Sequence, residues 1–178
     1  METVSLKRQL YSTLGSLLQY PSADTVQQGK ELTGRLGPLS EQAKGYLESF
    51  FDRTGTMTLS QRQEHYVQTF DLMAQCSLYV SIHLFGEESF KRAELMAGLK
   101  RVYDSHGVVG TTELPDHLAL LLSNNALFPE EEWHELVAMA ILPAIIKMID
   151  NLEKRNNPYA LALKAVHTLL IERERAHV

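Results

Sequence analysis

The stretch Pro129–Leu152 reads PEEEWHELVAMAILPAIIKMIDNL, and the spacing of its apolar side chains decides the fold class. Trp133, Leu136, Val137, Ala140, Ile141, Ala144, Ile145, Met148, Ile149 and Leu152 recur every three or four residues, which puts them on one face of a helix. Pro129 gives up an amide hydrogen that has no partner in a first turn, and Glu130, Glu131 and Glu132 suit the positive end of the helix dipole. Pro143, inside the run, predicts a kink.

The same period governs the chain outward from there. Leu6, Leu10, Leu14, Leu17 and Leu18 predict a first helix that ends at Tyr20-Pro21, since proline disfavours helical dihedrals in the residue before it. A weaker helix follows from Asp24 as cap through Val26, Leu32 and Leu36, diluted by Gly29 and Gly34. Ala43, Tyr46, Leu47, Phe50 and Phe51 form a third after Ser40. Ser60-Gln61-Arg62-Gln63 has the form of a capping box, and it opens a stripe of Tyr66, Val67, Phe70, Ala74, Leu78, Ile82 and Phe85 that is expected to break or kink near Asp71.

Phe90, Ala93, Ala97, Val102 and Tyr103 predict a further helix, with Leu95, Met96 and Leu99 widening its apolar side. A loop through Gly107 and Gly110 leads to a helix expected to start at Glu113-Leu114-Pro115 and to bury Leu118, Leu121 and Leu122. Asn157-Pro158 opens the last helix, which carries Tyr159, Ala162, Leu163, Val166, Leu169 and Leu170. No segment alternates with a period of two. The expected architecture is all-α, a single-domain helical bundle over residues 1–178.

Of 178 residues, 44% are hydrophobic and 22% charged, and 17 basic against 22 acidic side chains leave a net charge of −5. That balance argues against nucleic acid, whose phosphates select a basic stripe. No apolar run reaches the ~18 residues of a membrane span, so the chain is not expected to be membrane-embedded. The N-terminus lacks the order of a secretion signal, which implies a cytoplasmic protein.

Enzyme signatures are missing: there is no Gly-rich phosphate loop, no Gly-x-Ser-x-Gly elbow and no His-Glu-x-x-His. Cys76 has no base among its sequence neighbours and reads as a buried filler. Glu131-x-x-His134 matches one half of a di-iron motif without the second copy, so neither a metal nor a cofactor is expected. What stands out instead is polar residues on segments that otherwise look like core. Asp71 interrupts an apolar stripe, either as a cap or as a carboxylate at the lip of a groove, His83 falls near the same face, and Glu113, Asp116 and His117 gather at the start of another helix.

Tyr66-x-x-x-Phe70-Asp71, Ser77-Leu78, His83-x-x-Gly86-Glu87-x-Ser89, Arg92, Met96, Leu99, Tyr103, Gly107 and Glu113-Leu114-Pro115-Asp116-His117-Leu118 resemble the NarJ-type chaperones, within the wider TorD-like redox-enzyme maturation proteins. The likeness runs from Leu18-Gln19-Tyr20-Pro21 to Asn157-Pro158-Tyr159-Ala160. It implies a cytoplasmic, all-helical, non-enzymatic chaperone. Its partner would be the N-terminal segment of an apo molybdoenzyme catalytic subunit, the nitrate reductase alpha subunit or a relative, held open for insertion of the molybdenum cofactor. Cofactor-delivery proteins are a further partner class that the resemblance allows. Departures at Leu72-Met73-Ala74-Gln75 and Arg92-Ala93 leave the choice of molybdoenzyme open.

The expected site is a groove lined by Tyr66, Phe70 and Leu78 beside the Pro115 turn and rimmed by Asp71, His83, Glu113, Asp116 and His117. An amphipathic helix would lie in it, with basic residues meeting the acidic rim. Titration of His83 and His117 would make the affinity depend on pH. A helical metal- or cofactor-binding bundle and an unrelated helical adaptor are the competing readings.

Overall fold

The computed structural model describes residues 2–71, 75–108 and 110–175, with side chains from residue 10 onward except Arg173. Helices dominate: α1 (Glu2–Leu17), α2 (Ala23–Leu36), α3 (Glu41–Thr54), α4 (Leu59–Phe70), α5 (Val80–Phe85), α6 (Phe90–Ser105), α7 (Leu118–Ser123), α8 (Glu130–Leu136), α9 (Leu142–Glu153) and α10 (Tyr159–Arg175). A short 3-10 turn, Asn125–Leu127, precedes α8. Among the described residues the sole β pairing is an isolated antiparallel bridge between Tyr79 and His117.

The central layer is α10, packed against α3 and α9, and α1 lies across α7 and α2. Gly15 permits the α1–α7 approach, since a Cβ there would meet the Ala119 carbonyl oxygen at 2.8 Å and the Ser123 hydroxyl at 2.7 Å. Trp133 anchors the far end, fully buried beside Tyr11 and Phe128 with ring centroids 6.4 and 5.7 Å away. Leu163, Ile145, Met148 and Leu152 close the α9–α10 seam without exposure.

Several local expectations are corrected by the structure. Helix α4 is capped by Thr58, whose hydroxyl accepts from the Gln61 amide while the Gln61 side chain accepts from the Thr58 amide, so the capping box sits two residues before Ser60. Helix α2 is capped by Ser22 with Thr25, one turn ahead of the role given to Asp24. Pro115 is not in a helix: the chain turns through Glu113–Asp116, and α7 begins only at Leu118. Pro129 is the residue before α8, its ψ of 149° being extended, and the three carboxylates occupy the first turn as expected.

The expected kink at Pro143 takes the form of a π turn over Val137–Ile141, in which the Leu142 amide reaches back to the Val137 carbonyl. The wider loop takes up one extra residue just before the position where proline lacks its donor. On α6 the expected inward face is mostly outside: Phe90 is 78% exposed, Ala93 and Ala97 are exposed, and Leu99 and Tyr103 are the buried positions. The helix lies on the flank of the bundle against α5, so a stripe read as core has no layer to cover it. The side chain of Leu6 and residues Leu72, Met73 and Ala74 lie outside the described residues.

Removing Trp133 tests the packing. Trp133→Ala should lower the unfolding free energy by about 3–5 kcal/mol, read by urea denaturation followed by far-UV circular dichroism.

Candidate functional site

The break expected near Asp71 is complete. Helix α4 ends at Phe70, the Asp71 amide still donating to the Val67 carbonyl, and the chain then runs extended through Leu78 and Tyr79 before α5. That extended piece is clasped by the Glu113–Leu118 turn. The Val80 amide donates to the Asp116 carbonyl (3.0 Å), and the Leu118 amide to the Leu78 carbonyl (2.9 Å). The buried Asp116 carboxylate accepts from the Ser81 amide (3.0 Å) and hydroxyl (2.5 Å), capping α5, and Arg92 donates to the same hydroxyl (3.0 Å). The Tyr103 hydroxyl donates to the Pro115 carbonyl at 3.1 Å. Two stretches remote in sequence are thus held as one unit.

The clasp forms one wall of a cleft of about 380 Å³, lined by Gln19, Tyr20, Tyr66, Asp71, Gly110, Thr111, Thr112, Glu113, His117 and Leu120. Its size falls among ligand pockets, which span about 300–1,000 Å³. Tyr66 is 4% exposed, with its hydroxyl donating to the Leu18 carbonyl, and Tyr20 stands edge-on to it at the mouth, 53% exposed. Asp71 presents its carboxylate to solvent as the residue that follows α4, not as the cap of a new turn. Glu113 accepts from the Tyr79 hydroxyl (2.7 Å) and stands 4.0 Å from His117 Nε2.

Electrostatics concentrate at this rim. Asp71 is raised above the usual carboxylate range by partial burial, with the Glu113 charge adding to it. Burial lowers the pKa of His117 while Glu113, Asp116 and Asp71 pull the other way. His117 is 5% exposed, and its Nδ1 is buried without a hydrogen-bond partner. Burial and the hydrogen bond to Glu113 push the Tyr79 phenol up, so it stays a donor.

Tyr66, Asp71, Glu113 and His117 therefore come together as the sequence suggests, and the remaining candidates do not. Phe70 and Leu78 are core, 8% and 2% exposed, and Phe70 packs on Tyr159 with centroids 4.9 Å apart, so neither can floor an open groove. Asp116 is 0% exposed and is engaged by Ser81, and half-buried Pro115 turns its carbonyl to Tyr103. His83 lies on α5, its Nε2 2.8 Å from the Ser77 carbonyl oxygen, and is absent from the cleft lining. Tyr20, Thr111, Thr112 and Leu120 were not anticipated as site residues, although Gln19-Tyr20 belongs to the stretch that carries the resemblance.

The other candidate chemistry does not assemble. Burial pushes the Cys76 thiol up to about 12, which leaves it unreactive near neutrality. His134 meets Glu174 at 2.7 Å across to α10 and Glu130 at 3.9 Å, and no cluster of metal-ligating side chains occurs among the described residues. No described helix is long and apolar enough to cross a membrane.

Residues 35–165 match the profile of a family described as "Nitrate reductase delta subunit". The chain is 31% identical over 172 residues to a Bacillus subtilis protein described as a probable nitrate reductase molybdenum cofactor assembly chaperone NarJ, covering 94% of this chain and 90% of that one. It is also 31% identical over 162 residues to the Escherichia coli K12 nitrate reductase molybdenum cofactor assembly chaperone NarJ, covering 86% and 68%. The matched span contains both halves of the clasp.

Substitution separates the clasp from the rim. Asp116→Ala should cost about 2–4 kcal/mol of stability, because the Ser81 donors are left buried and unpaired, while Asp71→Ala should stay within about 0.5 kcal/mol; urea titrations of both variants decide it.

Acid should weaken the fold through the buried imidazoles. His65, His83, His117 and His167 all have pKa values lowered from 6.5, burial being the largest cause. The unfolded chain therefore takes up protons first as pH drops, and stability that is full above about 6.5 is lost as pH falls through the folded values. His117→Gln should flatten that slope by at most about 1.4 kcal/mol per pH unit, measured by urea midpoints between mildly acidic and neutral pH.

Proposed function

The chain belongs to the nitrate reductase delta subunit family, and on that premise we propose that it is an assembly chaperone for a molybdoenzyme, with respiratory nitrate reductase as its client. It binds the N-terminal segment of the apo catalytic subunit and holds that subunit competent for cofactor insertion and association with its partners. The observation that carries the reading is the cleft at the clasp, where the residues that give the likeness meet around an opening.

The cleft's chemistry indicates what enters it. Tyr20, Tyr66 and Leu120 offer aromatic and aliphatic surface, in place of the floor first expected from Phe70 and Leu78, and Asp71 and Glu113 supply negative charge at the mouth. An amphipathic helix that places one or two apolar side chains inside and a basic side chain at the rim matches both features. The clasp keeps the wall in place, so the acidic groups are positioned before the segment arrives, which lowers the ordering cost of binding.

Calorimetry with a peptide of the client's N-terminus tests this. Asp71→Asn should weaken binding about five- to tenfold with little change in stability, and the wild-type affinity should fall with added salt. An affinity indifferent to both Asp71→Asn and Glu113→Gln would remove the cleft from the mechanism.

A further inference from the structure

Arg62 is 8% exposed, on the first turn and a half of α4. Its Nη1 donates to the Thr54 hydroxyl (2.9 Å) and its Nη2 to the Thr54 carbonyl (2.6 Å), so it ties the end of α3 to the start of α4. Among the described residues no carboxylate pairs with it. The carbonyl end of α3 supplies only about half a negative charge, so the guanidinium stays largely uncompensated. A buried cation without a counter-charge is costly, and folded proteins pair such groups.

Next to it is a crevice of about 20 Å³, walled by Phe50, Phe51, Met57 and Tyr159 and open toward Pro21. A water-sized occupant needs only ~10–15 Å³. His65 lines the same crevice, stacked on Tyr159 at 5.6 Å, and its Nε2 is buried with no hydrogen-bond partner. Arg53 adds positive charge nearby, enough to depress His65 beyond the effect of burial. The crevice thus collects a buried guanidinium with donors to spare, an unpartnered imidazole nitrogen and a second cation, with no anion supplied by the described chain.

We propose that the crevice between Arg62 and His65 binds one small monovalent anion of about chloride size, which joins α3 to α4 as a structural ligand. The anion would accept from the Arg62 guanidinium and from Nε2–H of a neutral His65. This site is separate from the proposed client cleft and does not rest on that reading.

The test uses the full chain at fixed pH, sodium concentration and ionic strength, with chloride exchanged for gluconate, an anion too large for the crevice. Melting should rise saturably with chloride, by about 3 °C at tenfold above the dissociation constant, and Arg62→Met should abolish that dependence. Equal melting in the two salts, or an Arg62→Met protein that keeps the full chloride response, overturns the proposal. Where the variant does not fold, anomalous diffraction from wild-type crystals grown in bromide decides: a bromide peak at hydrogen-bond distance from the Arg62 guanidinium supports the site, and peaks elsewhere only, or none, overturn it.

Discussion

Asp116 and the backbone on either side of it hold the site in shape. A carboxylate with no exposure has exchanged water for the Ser81 amide and hydroxyl, and the flanking amides and carbonyls lock Leu78–Val80 against Asp116–Leu118. Buried polar groups are tolerated only when they are satisfied, and satisfaction here requires both segments in one register. Without that register, nothing would hold Glu113 and His117 opposite Asp71 across the cleft.

The motif residues thus divide into two kinds of work. Asp116, Pro115, Leu78 and Phe70 build the wall, through hydrogen bonds and through core packing on Tyr159. Asp71, Glu113 and the edge of His117 face the opening. A short polar motif next to an apolar run can be taken for a binding surface when half of it is scaffold. The chemistry that separates the halves is exposure: Asp116 and Asp71 are the same residue type, one wholly enclosed and the other in solvent.

Helix existence was legible because the 3.6-residue period of apolar side chains survives wherever a helix has one covered face, as in α3, α9 and α10. Boundaries were less so. Thr58 and Ser22 cap where Ser60 and Asp24 looked equally able, since several adjacent residues can accept the same amide and the tertiary path selects among them. The exposed face of α6 was not legible at all, because periodicity shows that a stripe exists and not whether another layer lies against it. The cleft was half legible: Asp71 and Glu113 follow from the motifs, whereas Tyr20, Thr111 and Leu120 arrive by tertiary folding from three separate segments.

The widened turn at Val137–Ile141 carries a further consequence for how this chain can vary in length. Each residue of an α-helix advances the direction of its side chain by about 100°, so the surplus residue in that loop sets the phase of everything after it. Deleting one amino acid there would restore ordinary winding and, in the same stroke, turn Ala144, Ile145 and Met148 away from α10. The loop is therefore a frame-keeper, where a single-residue indel would be felt through the whole α9–α10 seam.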